Sequence, residues 1–157
     1  MGLFDKKNSS NTHITKVKQV LDAAIPDMDW LEDGPGNWGN RNESVMVRVV
    51  VDTDTLPENP MVNVAAFVLL DARDTDALYR YLLRDVSYPM NQWEVEPGEK
   101  KGTVNIFLVR RLLIADLDPA ELQFAIMSTA LIADDLDEDL QKRFGGQRCL
   151  DYFGWEE

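Results

Sequence analysis

The residues best suited to chemistry in this sequence are paired carboxylates. Asp52 and Asp54 are separated by one residue at the end of a β-branched segment, so their oxygens could hold a divalent cation together. Acidic residues are also common where a strand turns, because their side chains accept hydrogen bonds from nearby backbone N–H groups. The turn interpretation is favoured. A small metal-dependent hydrolase that uses Asp52, Asp54 or the acidic end of the last predicted helix stays as an alternative.

A second acidic run occupies residues 134–139, near the C-terminus. Asp135, Asp137 and Asp139 alternate as the first ligands of a calcium-binding loop do. Leu140 stands where that loop needs glycine, however, and Gly146 stands where it needs the bidentate glutamate. The run also continues a helical apolar pattern, so we predict that it is the solvated acidic face of a helix and not a metal site.

Other residue types offer weaker candidates. His13 is the sole histidine, and no carboxylate or thiolate stands at ligand spacing from it, so it is a poor general base or metal ligand. Residues 34–36 read Gly-Pro-Gly but lack the helix and the Lys-Ser/Thr pair of a phosphate loop. Cys149 is the sole cysteine and is predicted to be a small apolar core residue. We therefore predict no catalytic residue, no metal and no cofactor.

The charge balance excludes several classes of partner. The 157 residues include 28 acidic and 16 basic side chains, which gives a net charge of −12. Nucleic acid would be repelled at long range by such a chain. No segment approaches the about 20 consecutive apolar residues that a membrane span needs, and the opening residues lack the apolar core of a signal peptide. A single cysteine also suits a reducing compartment. We expect a cytoplasmic protein whose partners are neither nucleic acid nor membrane.

The elements that would position these residues follow from hydrophobic periodicity. The order predicted is helix, three strands, helix, two strands, helix, which is typical of an α+β fold with a largely antiparallel sheet flanked by helices. We expect one domain over residues 1–157, with residues 1–9 disordered. The predicted elements are a helix from Thr12 that Pro26 ends, a short strand near Trp30 followed by a loop, strands 43–52 and 61–70, a helix capped by Asp71 or Asp74 that ends before Pro89, a hairpin of strands 92–96 and 104–114, and a last helix with Asp118 as N-cap, Pro119 as first residue and Gly145 at its end.

The predicted strands have apolar residues on both faces, whereas a sheet with one solvated face should alternate apolar and polar residues. If one set of side chains packs on the helices, the opposite face carries Met46, Val50, Phe67, Phe107 and Val109. Either the three helices cover both faces, or this second face binds a second copy of the chain, a peptide, or both. We predict that these five residues face a partner.

The C-terminal residues are rich in aromatic side chains. Tyr152, Phe153 and Trp155 stand among acidic residues in the last six positions. Such a segment either docks on a partner or folds back onto its own sheet, and we favour the second interpretation.

Three stretches carry a resemblance to a known family. Residues 112–122 read Leu-Leu-Ile-Ala-Asp-Leu-Asp-Pro-Ala-Glu-Leu, residues 130–140 continue the helix to Asp-Glu-Asp-Leu, and residues 144–146 close it with Phe-Gly-Gly. Together, these stretches between residues 111 and 146 resemble the YbjN family of bacterial proteins. Residues 78–83 are similar to the family's middle helix. That family is similar in fold to the type III secretion chaperones. The resemblance implies an acidic, cytoplasmic homodimer that binds extended peptide segments of client proteins and is not an enzyme.

The sequence thus predicts a non-enzymatic, chaperone-like module that binds a protein or peptide segment and acts as a homodimer. Two alternatives stay open. One is the metal-dependent hydrolase described above, and the other is a regulatory domain that senses a small apolar ligand between helix and sheet.

Overall fold

The computed structural model describes residues 3–156, with side chains described from residue 11 onward. The predicted disorder of residues 1–9 concerns Met1 and Gly2, which lie outside the described residues, and residues 3–9, whose side chains also lie outside them. The disorder therefore stays a prediction. The elements are α1 (Leu3–Ala24), β1 (Leu31–Glu32), β2 (Asn37–Asn42), β3 (Val45–Asp52), β4 (Met61–Arg73), α2 (Asp76–Arg80) continued by a π-helical turn (Tyr81–Asp85), β5 (Gln92–Pro97), β6 (Thr103–Leu113), α3 (Pro119–Phe144) and α4 (Cys149–Phe153).

The six strands form one open antiparallel sheet. Their order across the sheet is β1-β2-β3-β4-β6-β5, so the hairpins β2–β3, β3–β4 and β5–β6 join strands that are adjacent in the sequence. The long strands β4 and β6 are central, and their register places Phe67 opposite Phe107. The predicted α+β class and the antiparallel sheet flanked by helices are confirmed.

The helices α1, α2 and α3 pack on the same face of the sheet. Alternate strand residues that point to this face are almost fully buried, and they form one core with the inner sides of the helices. Tyr81, just after α2, donates a hydrogen bond of 2.7 Å to Asp139 of α3, which places these helices side by side. This helix-covered face includes Val47, Val49, Val62, Val64, Ala66, Ile106 and Leu108 from the strands, and Val17, Leu21, Leu78, Leu122, Ile126, Ala130 and Leu140 from the helices.

The capping residues of α3 follow the prediction. Asp118 has extended backbone angles, and its carboxylate accepts a hydrogen bond of 2.9 Å from the N–H of Glu121. Pro119 occupies the first helical position, where its missing N–H costs nothing. Gly145 ends the helix at a φ of 72°, a conformation that glycine adopts without steric penalty.

Two local predictions are wrong. Neither Asp71 nor Asp74 caps α2. β4 continues through Asp71, and the N-cap is Thr75, whose hydroxyl accepts a hydrogen bond of 3.3 Å from the N–H of Leu78. Residues 37–42 were predicted as loop but form β2, so four strands and not three precede α2. Pairing with the strongly β-forming β3 overrides the poor strand propensity of this Asn- and Gly-rich segment.

None of the helices in the described part of the chain is both long enough and apolar enough to cross a membrane.

Candidate functional site

The sheet face opposite α1, α2 and α3, here called the open face, has none of the described helices across its centre. Strand register defines it, because residues opposite each other on neighbouring strands point to the same side. All five predicted partner-facing residues lie on this face. Its members on the three central strands are Met46, Arg48, Val50, Asn63, Ala65, Phe67, Phe107, Val109 and Arg111.

The register brings three of the predicted residues into one row. Met46 lies opposite Phe67, and Phe67 lies opposite Phe107. The two phenyl rings meet edge to face, with centroids 4.7 Å apart and an interplanar angle of 74°. Met46, Val50, Phe67 and Phe107 are half-buried in the isolated chain, whereas Val109 is only 3% exposed. Val109 therefore lies on the predicted face but beneath its surface.

Charged groups border this apolar row. The guanidinium of Arg48 lies 5.7 Å from the centroid of the Phe67 ring, and it donates hydrogen bonds to Asp33 (3.1 Å) and Asn37 (3.2 Å). At the β5 end of the row, Glu94 lies opposite Phe107 and forms an ion pair with Arg111 of β6. The row is thus bordered by two arginines that already have partners in the chain.

The C-terminal segment folds back onto the sheet, as predicted. Gln147 and Leu70 exchange two backbone hydrogen bonds of 2.8 Å, and the Cys149 thiol donates a hydrogen bond of 3.3 Å to the Phe67 carbonyl. Cys149 is fully buried, and this burial raises the pKa of its thiol to about 11. Cys149 therefore acts as the small apolar residue that the sequence predicts.

A groove forms where α4 meets the end of the open face. It has a volume of about 290 Å³, below the roughly 300–1,000 Å³ of most small-molecule sites. Tyr152 and Phe153 are 45% and 44% exposed. The sequence reasoning missed this groove, although the density of aromatic residues in the tail was a signal. The aromatic groove is lined by Phe67, Leu70, Asp71, Glu96, Glu99, Asn105, Phe107, Tyr152 and Phe153.

The tail beyond the groove is held by aromatic and cationic contacts. The rings of Phe153 and Trp155 are stacked with centroids 4.9 Å apart. The guanidinium of Arg41 lies 4.8 Å from the centroid of Trp155 and donates a hydrogen bond of 2.7 Å to the carbonyl of Glu156. These contacts fix the wall of the groove against β2.

Asp52, one of the carboxylates considered for catalysis, has structural partners. The carboxylate of Asp52 accepts hydrogen bonds of 3.0 Å from the N–H groups of Asp54 and Thr55, which closes the turn after β3. Hydrogen bonds from Thr55 hold the pKa of Asp52 below its usual value. Within the part of the chain that the structure describes, no three His, Cys, Asp or Glu side chains are grouped as a metal site would require. Asp52 therefore has the turn role that the sequence analysis favours.

The acidic run of α3 is helical, but one member is not solvated as predicted. Asp137 is only 1% exposed, and the Ser44 hydroxyl lies 2.6 Å from its Oδ2 atom. Arg148, the residue before α4, lies 4.0 Å from Asp137 and 3.2 Å from Glu138. Burial raises the pKa of Asp137 above its usual value. This cluster joins the β2–β3 turn, α3 and α4, and so fixes the position of the groove wall.

Comparison with known proteins agrees with the fold. A family model described as T3SS (YopN, CesT) and YbjN peptide-binding chaperone 1 (TY-Chap1) matches residues 13–152. A comparison with curated proteins finds no match. The resemblance to the YbjN family is confirmed by the family model.

Solved structures share the architecture at low identity. The Yersinia pestis type III secretion chaperone SycH, solved in complex with a stable fragment of YscM2, is 12% identical, with a TM-score of 0.53 over 79% of this chain and 98% of that one. A chain of the HopA1–SchA chaperone–effector complex is 14% identical, with a TM-score of 0.55 over 80% and 95%. YbjN from E. coli is 10% identical, with a TM-score of 0.57 over 80% and 92%. These structural likenesses concern the fold, whereas the family model spans most of the sequence. The chain belongs to the TY-Chap1 family of type III secretion (YopN, CesT) and YbjN peptide-binding chaperones.

Proposed function

We propose that this chain is a non-enzymatic, chaperone-like module that binds an extended segment of another protein, acts as a homodimer and works in the cytoplasm. The open face is the observation that carries the proposal. The family description and the SycH–YscM2 and HopA1–SchA complexes support it.

The open face offers a row of apolar contacts to an extended segment. Met46, Phe67 and Phe107 form a strip across three neighbouring strands, and Val50 lies on the same face four residues along β3 from Met46. Alternate side chains of an extended segment could pack on this strip. Each Å² of apolar surface removed from water contributes about 25 cal/mol. Val109, two residues along β6 from Phe107, is buried on the same face.

The outer edge of β5 offers backbone contacts. In the described part of the chain, β5 pairs with β6 along one edge only, and its other edge has no strand beside it. A client segment could add to this edge through main-chain hydrogen bonds. Pro97 ends β5 and has no N–H to donate, so such pairing would involve residues 92–96.

The homodimer would use a different surface, the outer side of α3. Phe124, Met127 and Leu131 follow one another at helical spacing and are 58%, 46% and 62% exposed. A helical stripe of this kind is suited to a second copy of the same helix, because a two-fold axis brings identical patches together. The dimer would thus leave the open face free for the client.

Two substitutions separate these roles. Phe107→Asp puts a charge on the open face, and Leu131→Asp puts one on the outer side of α3. We expect Phe107→Asp to lose protection of an unfolded reporter protein against aggregation, measured by light scattering, while it stays dimeric in sedimentation. We expect Leu131→Asp to become monomeric. Far-UV circular dichroism of both variants checks that they fold.

The results can contradict each part separately. A parent chain that sediments as a monomer would show that the homodimer is wrong and leave client binding intact. Equal protection by the parent and by a folded Phe107→Asp variant would show that the open face does not bind clients. Where an aspartate variant does not fold, the serine variant at the same position replaces it.

A further inference from the structure

The aromatic groove has an apolar base and an acidic rim. Phe67 and Phe107 form the base, and Tyr152 and Phe153 of α4 form one wall. With about 290 Å³, the groove has room for one large side chain and not for a helix. It lies at one end of the Met46–Phe67–Phe107 strip, so a segment bound on the open face could place a side chain in it.

The rim carries three carboxylates, two of which have no ion-pair partner among the described residues. Asp71, Glu96 and Glu99 line the groove, and its described lining residues include no lysine or arginine. Within residues 11–156, no ion pair or side-chain hydrogen bond engages the carboxylates of Glu96 and Glu99. Glu94, their neighbour on β5, is by contrast paired with Arg111. Two free carboxylates therefore stand beside an apolar cavity.

Asp71 is the rim residue whose carboxylate is held in place by hydrogen bonds. It adopts a φ of 55° at an irregular position of β4, and its Oδ1 atom accepts hydrogen bonds from the Lys100 N–H (3.1 Å) and the Thr103 hydroxyl (2.9 Å). These bonds lower the pKa of Asp71 and keep its carboxylate charged. The Lys100 ammonium also acts on Asp71, so the charge open to a ligand comes mainly from Glu96 and Glu99.

We propose that the aromatic groove selects a client segment in which a large apolar side chain is followed or preceded, within two residues, by lysine or arginine. The apolar side chain enters the groove, and the cation lies against Glu96 and Glu99. This inference rests on the proposed function and adds the chemistry of the client to it. The net charge of −12 favours the same cationic segments at longer range.

The first test is selection from a phage-displayed library of random 12-residue peptides on the immobilised full-length chain. We expect enrichment of peptides with Phe, Leu or Met within two positions of Lys or Arg. Enriched peptides without a basic residue would overturn the inference and leave the proposed function standing. The absence of any enriched peptide would overturn both.

The second test measures the affinity of a selected peptide by fluorescence anisotropy. Glu96→Gln/Glu99→Gln should weaken binding about three- to tenfold at low ionic strength, since an exposed ion pair contributes modestly. The matched control, Glu58→Gln/Asp135→Asn, removes two exposed carboxylates far from the groove and should leave the affinity unchanged. Added salt should weaken parent binding and leave the Glu96→Gln/Glu99→Gln variant nearly unaffected. Equal loss in both double variants would overturn the inference, because only net charge would then matter.

A third measurement locates the peptide. Because Cys149 is buried and its thiol pKa is about 11, a cysteine placed on the surface can be labelled selectively. An environment-sensitive dye on Glu99→Cys should respond to the peptide, and the same dye on Leu131→Cys should not. A response at Leu131 alone would place the peptide on α3 and overturn the inference.

Discussion

Phe107 and Leu108 are neighbours in β6 whose side chains point to opposite faces of the sheet. Leu108 is fully buried in the helix-covered core, whereas Phe107 lies half-buried on the open face beside Phe67. If the open face lacks internal cover, truncating these two adjacent residues should have very different costs. This contrast tests the physical basis of the proposed function without knowledge of the client.

The magnitudes follow from burial. Replacing a buried leucine by alanine costs 2–5 kcal/mol through lost transfer free energy and the cavity left behind, so we expect about 3 kcal/mol for Leu108→Ala. At about 2–4 °C per kcal/mol for a chain of this size, Tm should fall by roughly 6–12 °C. Phe107→Ala loses an edge-to-face ring contact, about 0.5–1.5 kcal/mol, and the burial of one side of its ring. We expect Phe107→Ala to lower the free energy of unfolding by about 1–2 kcal/mol in total.

Urea unfolding followed by tryptophan fluorescence measures both free energies of unfolding, with binding of a selected peptide as a second readout. Phe107→Ala should lose most peptide binding at a small cost in stability, and Leu108→Ala should retain binding at temperatures where it is folded. An unfolding cost for Phe107→Ala equal to that for Leu108→Ala would mean that the open face is packed like the core, and the reasoning would fail.

Three further predictions concern the residues that hold the groove in place. Asp137 has a raised pKa in the folded chain, so its contribution to stability is greatest below the unfolded value of 3.8 and is lost as pH rises through the folded pKa. The stability of Asp137→Asn relative to the parent should therefore increase from pH 4 to pH 7 in urea titrations, and a constant difference would contradict this. Gly98→Ala would place a Cβ atom 2.5 Å from Oδ1 of Asp71, so it should cost about 1–3 kcal/mol in thermal melts, whereas an unchanged Tm would show that the turn has room. Cys149 should react with a thiol reagent at pH 8 only after unfolding in urea, and rapid labelling of the folded chain would show that α4 detaches readily.

The sequence itself determined those elements whose signals are local. Asp118, Pro119 and Gly145 set the limits of α3, because capping hydrogen bonds and a positive φ depend on a few adjacent residues. The alternating valines of β3 specified a strand. Apolar residues at both odd and even positions of the strands specified a sheet with two apolar faces. The five residues predicted on the second face share it because side-chain direction in paired strands has a strict period of two.

Tertiary structure decided which face the helices cover and what the remaining polar residues do. Residues 37–42 became a strand because β3 supplies their hydrogen-bond partners. Asp137 became buried because Ser44, 93 residues away, meets it under α4. The aromatic groove exists because Gln147 pairs with Leu70 and so directs Tyr152 and Phe153 towards Phe107. Each of these outcomes depends on contacts between residues far apart in the chain. The free energy of these contacts exceeds the local conformational propensities, and such contacts produce no periodic pattern in the sequence.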